Sequence, residues 1–111
     1  MRIAEVYRNG ELTGLLTEHS VNNYEFTYDD NWFRDDGKPA ISLTLPKTKK
    51  THHSQHLFPF FFNMLSEGVN KQLQCRQLRI DERDSFGLLM ATAKNDTIGA
   101  ITVEQIYKEK S

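Results

Sequence analysis

The stretch "RIAEVYRNGELTGLLTEHSVNNYEFTY", Arg2 to Tyr28, decides how the rest of the chain is read. Its last five residues alternate cleanly: Tyr24, Phe26 and Tyr28 fall on one face, Glu25 and Thr27 on the other, the period of a half-buried strand. Upstream, Asn9-Gly10 is a dipeptide that readily takes positive φ at both centres of a tight hairpin turn. The apolar positions Ile3, Val6 and Leu12 flank that turn in an imperfect alternation, and Asn22-Asn23 supplies a second turn. Three consecutive antiparallel strands, a β-meander, are predicted.

Working outward, "DDNWFRDDGKP" breaks the alternation. Asp29 or Asp30 caps one helical turn carrying Trp32 and Phe33, which Gly37 and Pro39 end. "AISLTLP" then reads as a fourth short strand with Ile41, Leu43 and Leu45 on one face, stopped by Pro46. The polar, basic "KTKKTHHSQH" has no period and reads as an exposed loop. In "HLFPFFFNMLSEG", His56 to Gly68, Pro59 suits a first helical turn, where its missing N–H costs nothing. Phe58, Phe61, Phe62 and Leu65 follow the spacing of a core stripe, Phe60 and Met64 form a second stripe, and Gly68 is a natural stop.

"VNKQLQCRQLRI" reads as a more polar helix with Val69, Leu73 and Ile80 loosely on one side. "ERDSFGLLMATA" offers Asp84 or Ser85 as a cap before the stripe Phe86, Leu89, Met90 and Ala93. After a turn at "KND", the β-branched run "TIGAITV" reads as a strand returning to the sheet, with Gly99 marking a bulge or close approach. The fold class is therefore α+β: a curved antiparallel sheet of about five strands covered by two to three helices. Residues 1–107 form one domain, and 108–111 are a polar tail expected to fray.

With 111 residues the chain is long enough for one hydrophobic core. Charged residues at 26% and a hydrophobic fraction of 38% fit a globular protein, and no run approaches the length of a membrane span. A net charge of −1 argues against direct nucleic-acid binding, which normally needs a basic excess. The start lacks a secretory h-region and the single cysteine, Cys75, reads as an inert helix residue, so a reducing cytoplasm is the expected setting.

Candidate chemistry is sparse. His52, His53 and His56 cluster, but a closed zinc site needs four ligands and no Cys or HExxH pattern supplies the rest, so neither metal nor cofactor is expected. Lys47, Lys49 and Lys50 without an aromatic partner are a weak phosphate-binding signal. There is no phosphate loop, no nucleophile elbow and no kinase signature. A binding or regulatory role, not an enzyme, is the reading.

The order of motifs resembles the N-terminal subdomain of the HipA family of serine/threonine kinase toxins. "VYRNGELTGLLT", "YEFTYDDNWF", "ISLTLP", "LFPFFFNMLSEG" and "FGLLMATAKNDTIGAITV" occur in the family's order and cover nearly the whole chain. The family's Ser-Leu-Pro-Leu-like turn reads Thr44-Leu45-Pro46-Lys47 here, and its Leu-Leu-Pro-Glu-Gly reads Met64-Leu65-Ser66-Glu67-Gly68. The kinase body, with its ATP, magnesium and catalytic aspartate, has no counterpart in the quoted pieces, so phosphoryl transfer is not carried over.

The resemblance implies a HipS-like role: the antitoxin of a HipBST toxin–antitoxin system, binding and inhibiting a separately encoded HipT/HipA-like kinase. A HipB-like helix-turn-helix protein would be a further, indirect partner. The alternative is a scaffold that bridges kinase and HipB-like repressor without inhibiting by itself. A subdomain that docks on a kinase body should keep an apolar docking surface. Phe60 and Met64, with Lys47, Lys49 and Lys50, are the expected contacts, and without the partner the same patch would allow two copies to pair.

Overall fold

The computed structural model describes residues 1–65, 68–93 and 100–108. It contains an open five-stranded antiparallel sheet and four helices, the expected α+β class. The strands are β1 (Arg2–Arg8), β2 (Glu11–Ser20), β3 (Asn23–Tyr28), β4 (Thr51–Ser54) and β5 (Ile101–Lys108), in the order β4-β3-β2-β1-β5. The helices are α1 (Asp30–Arg34), α2 (Pro59–Phe62), α3 (Gly68–Leu78) and α4 (Ser85–Thr92).

The meander forms as the sequence indicates. Asn9 and Gly10 take φ of 50° and 80°, the positive pair a tight hairpin turn requires. Tyr24, Phe26 and Tyr28 are all buried on the inner face of β3. In β1, however, Ala4 and Val6 face the core, and Ile3 is only partly buried. The second turn falls at Val21-Asn22, so Asn23 already belongs to β3.

The imperfect phase between Val6 and Leu12 has a structural cause. Val6 pairs with Gly14 and Tyr7 with Leu12, leaving Thr13 as an extra residue in β2. That residue is fully buried; its hydroxyl donates to the Val6 carbonyl at 2.8 Å, and its own carbonyl accepts from Asp29 N–H at 2.7 Å. The bulge thereby ties the end of β2 to the start of α1. There Asp29 caps the helix through its carboxylate, which accepts from Asn31 N–H.

The fourth strand is not where alternation put it. Residues 41–46 form turns, and β4 is built from Thr51–Ser54, inside the stretch read as loop. The apolar alternation of "ISLTL" lost to local polar closure: Leu45 N–H donates to Ser42 O at 3.1 Å, and Thr44 N–H donates to the Ser42 hydroxyl at 3.2 Å. Leu45 is buried but Leu43 is wholly exposed, so the two do not share a covered face.

The core lies between the inner sheet face and the helices. Phe26 meets Tyr28 edge-on at 4.9 Å between ring centres and Phe61 at 5.8 Å, and Phe61 packs on Phe58 and Phe60. In α4, Phe86, Leu88, Leu89 and Met90 are buried, as is Ala93 just beyond it, and Asp84 is the N-cap, accepting from Gly87 N–H at 3.0 Å.

In α3 the only buried residue is Cys75; Val69 and Leu73 do share a face, but it points outward. Gly68, with φ of 60°, opens this helix and does not close the preceding one. Arg79 follows α3 at φ of 58°, and Ile80 N–H closes back onto Cys75 O at 2.9 Å, a C-terminal cap usually built on glycine. Arg79→Gly is therefore expected to raise stability by about 0.5–1 kcal/mol, seen as a higher urea midpoint at unchanged slope. A lower midpoint would contradict it.

The fifth strand returns beside β1 and continues through Tyr107 and Lys108, beyond the run predicted for it and into the expected tail. The turn at "KND", Gly99 and the last three residues lie outside the described residues.

Candidate docking surface

Tyr28, the last residue of β3, organises the loop that follows α1. Its hydroxyl donates to the Leu45 carbonyl and accepts from Ile41 N–H at 3.1 Å, stapling both flanks of residues 42–44 to the core. Burial pushes the Tyr28 phenol above its ordinary value of 10.0, partly offset by the Ile41 hydrogen bond, so it stays a neutral donor. Further contacts pin the same loop. Trp32 Nε1–H donates to Pro39 O at 2.9 Å, and His52 Nε2 lies 2.9 Å from Pro46 O. Lys47 Nζ donates at 2.7 Å to both Asp35 O and Lys38 O.

This heavily anchored loop ends in a leucine side chain that touches almost nothing. Leu43 is 99% exposed. Alternation puts it on one face of a strand with Ile41 and Leu45; the signal against that strand is the Ser42-x-Thr44 pair followed by Pro46, which closes the backbone on itself.

The lysines expected to make contact are in different states. Lys50 pairs with Asp30, whose carboxyl is drawn below its ordinary 3.8 by that hydrogen bond, and Lys38 pairs with Glu11. Lys47 binds two carbonyls and no carboxylate. Lys49 is exposed, with no hydrogen-bond or ionic partner among the described residues.

The phenylalanine-rich segment divides differently from its predicted stripes. Phe58, Phe61 and Leu65 are buried, but Phe62, expected in the core, is 45% exposed, with Lys71 Nζ 5.9 Å from its ring centre. The reason is length: α2 is four residues long and turns at Asn63, so no further turn covers Phe62. Phe60 and Met64 are partly buried and packed against the core. On α3, Val69 and Leu73 add exposures of 69% and 47%.

The histidines do not converge. His52 and His53 are neighbours in β4 and so face opposite sides of the sheet. One meets the Tyr28 ring edge-on at 6.3 Å, and the other lies 3.9 Å from Glu25 on the outer face. Among the described residues no group of three or more His, Cys, Asp or Glu side chains is arranged to hold a metal ion. No helix among them is long and apolar enough to cross a membrane.

Fold and surface together define a small α+β module whose outward features are a pinned apolar loop and lysines close to it in sequence. The chain belongs to the HipA N-terminal domain family, whose model matches residues 4–104. This is the family that the motif order resembled. An uncharacterized protein of Haemophilus influenzae is 32% identical over 105 residues, covering 95% of this chain and 93% of that one. A Sinorhizobium fredii protein named as putative kinase Y4mE is 25% identical over 89 residues; the match spans 80% of this chain but 21% of the kinase. The solved structure of an N-terminal domain of HipA toxin superposes with a TM-score of 0.72 at 32% identity, covering 98% of this chain and 96% of the other.

Proposed function

We propose that this chain is a non-catalytic antitoxin, the regulatory subunit that binds a separately encoded HipT/HipA-like serine/threonine kinase toxin in the cytoplasm and holds it inactive. One observation carries the reading. The same domain makes up nearly all of the Haemophilus protein and about a fifth of a protein named as a kinase. A domain found both alone and joined to a larger body is suited to act on that body in trans. Its free form would keep apolar residues outside, as Leu43, Phe62 and Val69 are here.

The test is co-expression with a HipT-like kinase toxin, together with a phosphorylation assay on the purified pair. Relief of growth arrest, co-elution, and loss of phosphoryl transfer when this chain alone is added are expected. Co-elution with undiminished phosphorylation would replace inhibition by the scaffold role. No co-elution would end both readings.

A further inference from the structure

We infer that α3 is a strap that opens and recloses by itself while the rest of the fold stays intact, uncovering Cys75 each time. Most helices in proteins are held by the packing of one apolar face, and an isolated helix shorter than about 12–15 residues is marginal in water. α3 is 11 residues long, and its larger apolar residues face the wrong way: Val69, Leu73 and Leu78 are exposed, and only Cys75 is buried. The rest is polar, with no carboxylate from Gly68 to Ile80, so no ion pair forms within the helix. Arg76 in the last turn complements the helix dipole, and Lys71 lies 5.9 Å from the Phe62 ring, but both contacts are small at a wet surface.

Closing the helix also has costs. Arg79 must hold φ of 58°, a conformation side chains other than glycine rarely adopt, and Gln74 Oε1 is buried with no hydrogen-bond partner among the described residues. What flanks the helix is firm. Leu65 before it is buried, and Ile80 after it packs against the core. The strap is therefore fastened at both ends and can lift without dragging the sheet. Local opening is drawn from segments with the fewest buried apolar side chains, and α3 has one where α4 has four. The chain thereby offers two surfaces on this side, whatever partner it binds: α3 closed, with Val69 and Leu73 outward, or α3 open, with the core uncovered at Cys75.

Cys75 is the single cysteine and reports the opening directly, because an enclosed thiol is inert until it is uncovered. The experiment follows N-ethylmaleimide labelling of the full chain by mass, at urea concentrations below the unfolding transition, beside hydrogen exchange of β2 and β3 amides. The opening constant from labelling is expected to exceed that from the two strands by about 100-fold or more, and to change little with urea because a lifted helix exposes little surface. Arg79→Gly, which relieves the cap, should slow labelling by about 2- to 5-fold. Arg2→Met removes a clamp between β1, β2 and α4 that touches no part of α3. It should speed exchange of the strands by about 30-fold or more and leave labelling within about 2-fold of the parent. Labelling that climbs with urea as steeply as unfolding, that rises with Arg2→Met, or that is no faster than strand exchange means that α3 opens only with the whole fold, and overturns the strap. Labelling that Arg79→Gly fails to slow means the reagent reaches Cys75 with α3 closed, and overturns it equally.

Discussion

Replacing Gly14 by alanine should lower the melting temperature by roughly 10 °C, the largest effect expected of adding one methyl group to this chain. A Cβ built at this position lies 2.4 Å from the Thr27 carbonyl oxygen and 2.8 Å from the edge of the Phe26 ring. Neither neighbour has anywhere to go. Thr27 O belongs to the backbone of β3, and Phe26 is fully buried against Tyr28 and Phe61. Over-packing of this kind costs about 1–3 kcal/mol where side chains can adjust, and at least the upper end where backbone blocks them. Set against a typical margin of roughly 5–15 kcal/mol, that is a large share.

The disturbance should also travel. Phe26 carries Phe61, and Phe61 is the buried residue of α2, so the segment presenting Phe62 should loosen first. Gly10→Asn is the control: it too replaces a glycine, at φ of 80° but with no atom within 4 Å, and asparagine tolerates that conformation. Thermal melts followed by circular dichroism decide the matter. If Gly14→Ala melts within 2 °C of the parent (well inside the roughly 4 °C that 1 kcal/mol represents), the close approach is not tight.

Gly14 also illustrates which features were legible in the sequence. The hairpin turn at Asn9-Gly10, the inner row Tyr24, Phe26 and Tyr28, the cap at Asp84 and the Pro59 helix start all rest on local rules, and each formed as read. The bulge at Thr13 did not announce itself, because it depends on pairing between two strands and the placement of α1. The displaced fourth strand failed for a related reason. "ISLTL" has the right period, but a period shows only that a strand is compatible, and β3 had to choose between two candidate partners. It chose Thr51–Ser54, and Ser42 and Thr44 closed the other into a turn.

For the candidate surface, composition points to the lysines and spacing to Phe60 and Met64, which the structure holds partly buried against the core. Leu43, the most exposed apolar side chain among the described residues, is read from alternation as sharing a strand face with Ile41 and Leu45, and its exposure follows from that same choice.

The ion network at Arg2 was equally invisible, since its members are up to 82 residues apart, and it carries the second large prediction. From β1 the guanidinium reaches Glu18 Oε1 in β2 at 2.6 Å and Asp84 Oδ1 at the start of α4 at 2.7 Å, lying 5.0 Å from the centre of the Phe86 ring. Glu18 accepts in turn from Tyr24, whose phenol is pushed up to about 12 by burial and by the Glu18 charge. Arg2→Met should cost about 2–3 kcal/mol at neutral pH. That lies below the cost of a fully buried pair because these side chains keep some solvent, yet well above a surface pair because two carboxylates lose one shared cation.

The loss should depend on pH, with a definite sign. Burial alone would raise the Asp84 carboxyl, but hydrogen bonds from Arg2 and Gly87 N–H outweigh it and hold it below its ordinary 3.8. A carboxyl depressed in the folded state adds stability that is fully present above its unfolded value and disappears as pH falls through the folded one. The gap between the parent and Arg2→Met should therefore be constant at pH 6–8 and close at pH values below about 4, where Asp84 takes up its proton. Asp84→Asn isolates the charge, since asparagine caps a helix as well as aspartate does. It should lose about 1 kcal/mol at pH 7 and nothing in acid. Urea titrations of the three proteins at neutral and acid pH measure both gaps, and gaps that stay equal across that range would mean Arg2 holds α4 by packing on Phe86 and not by charge.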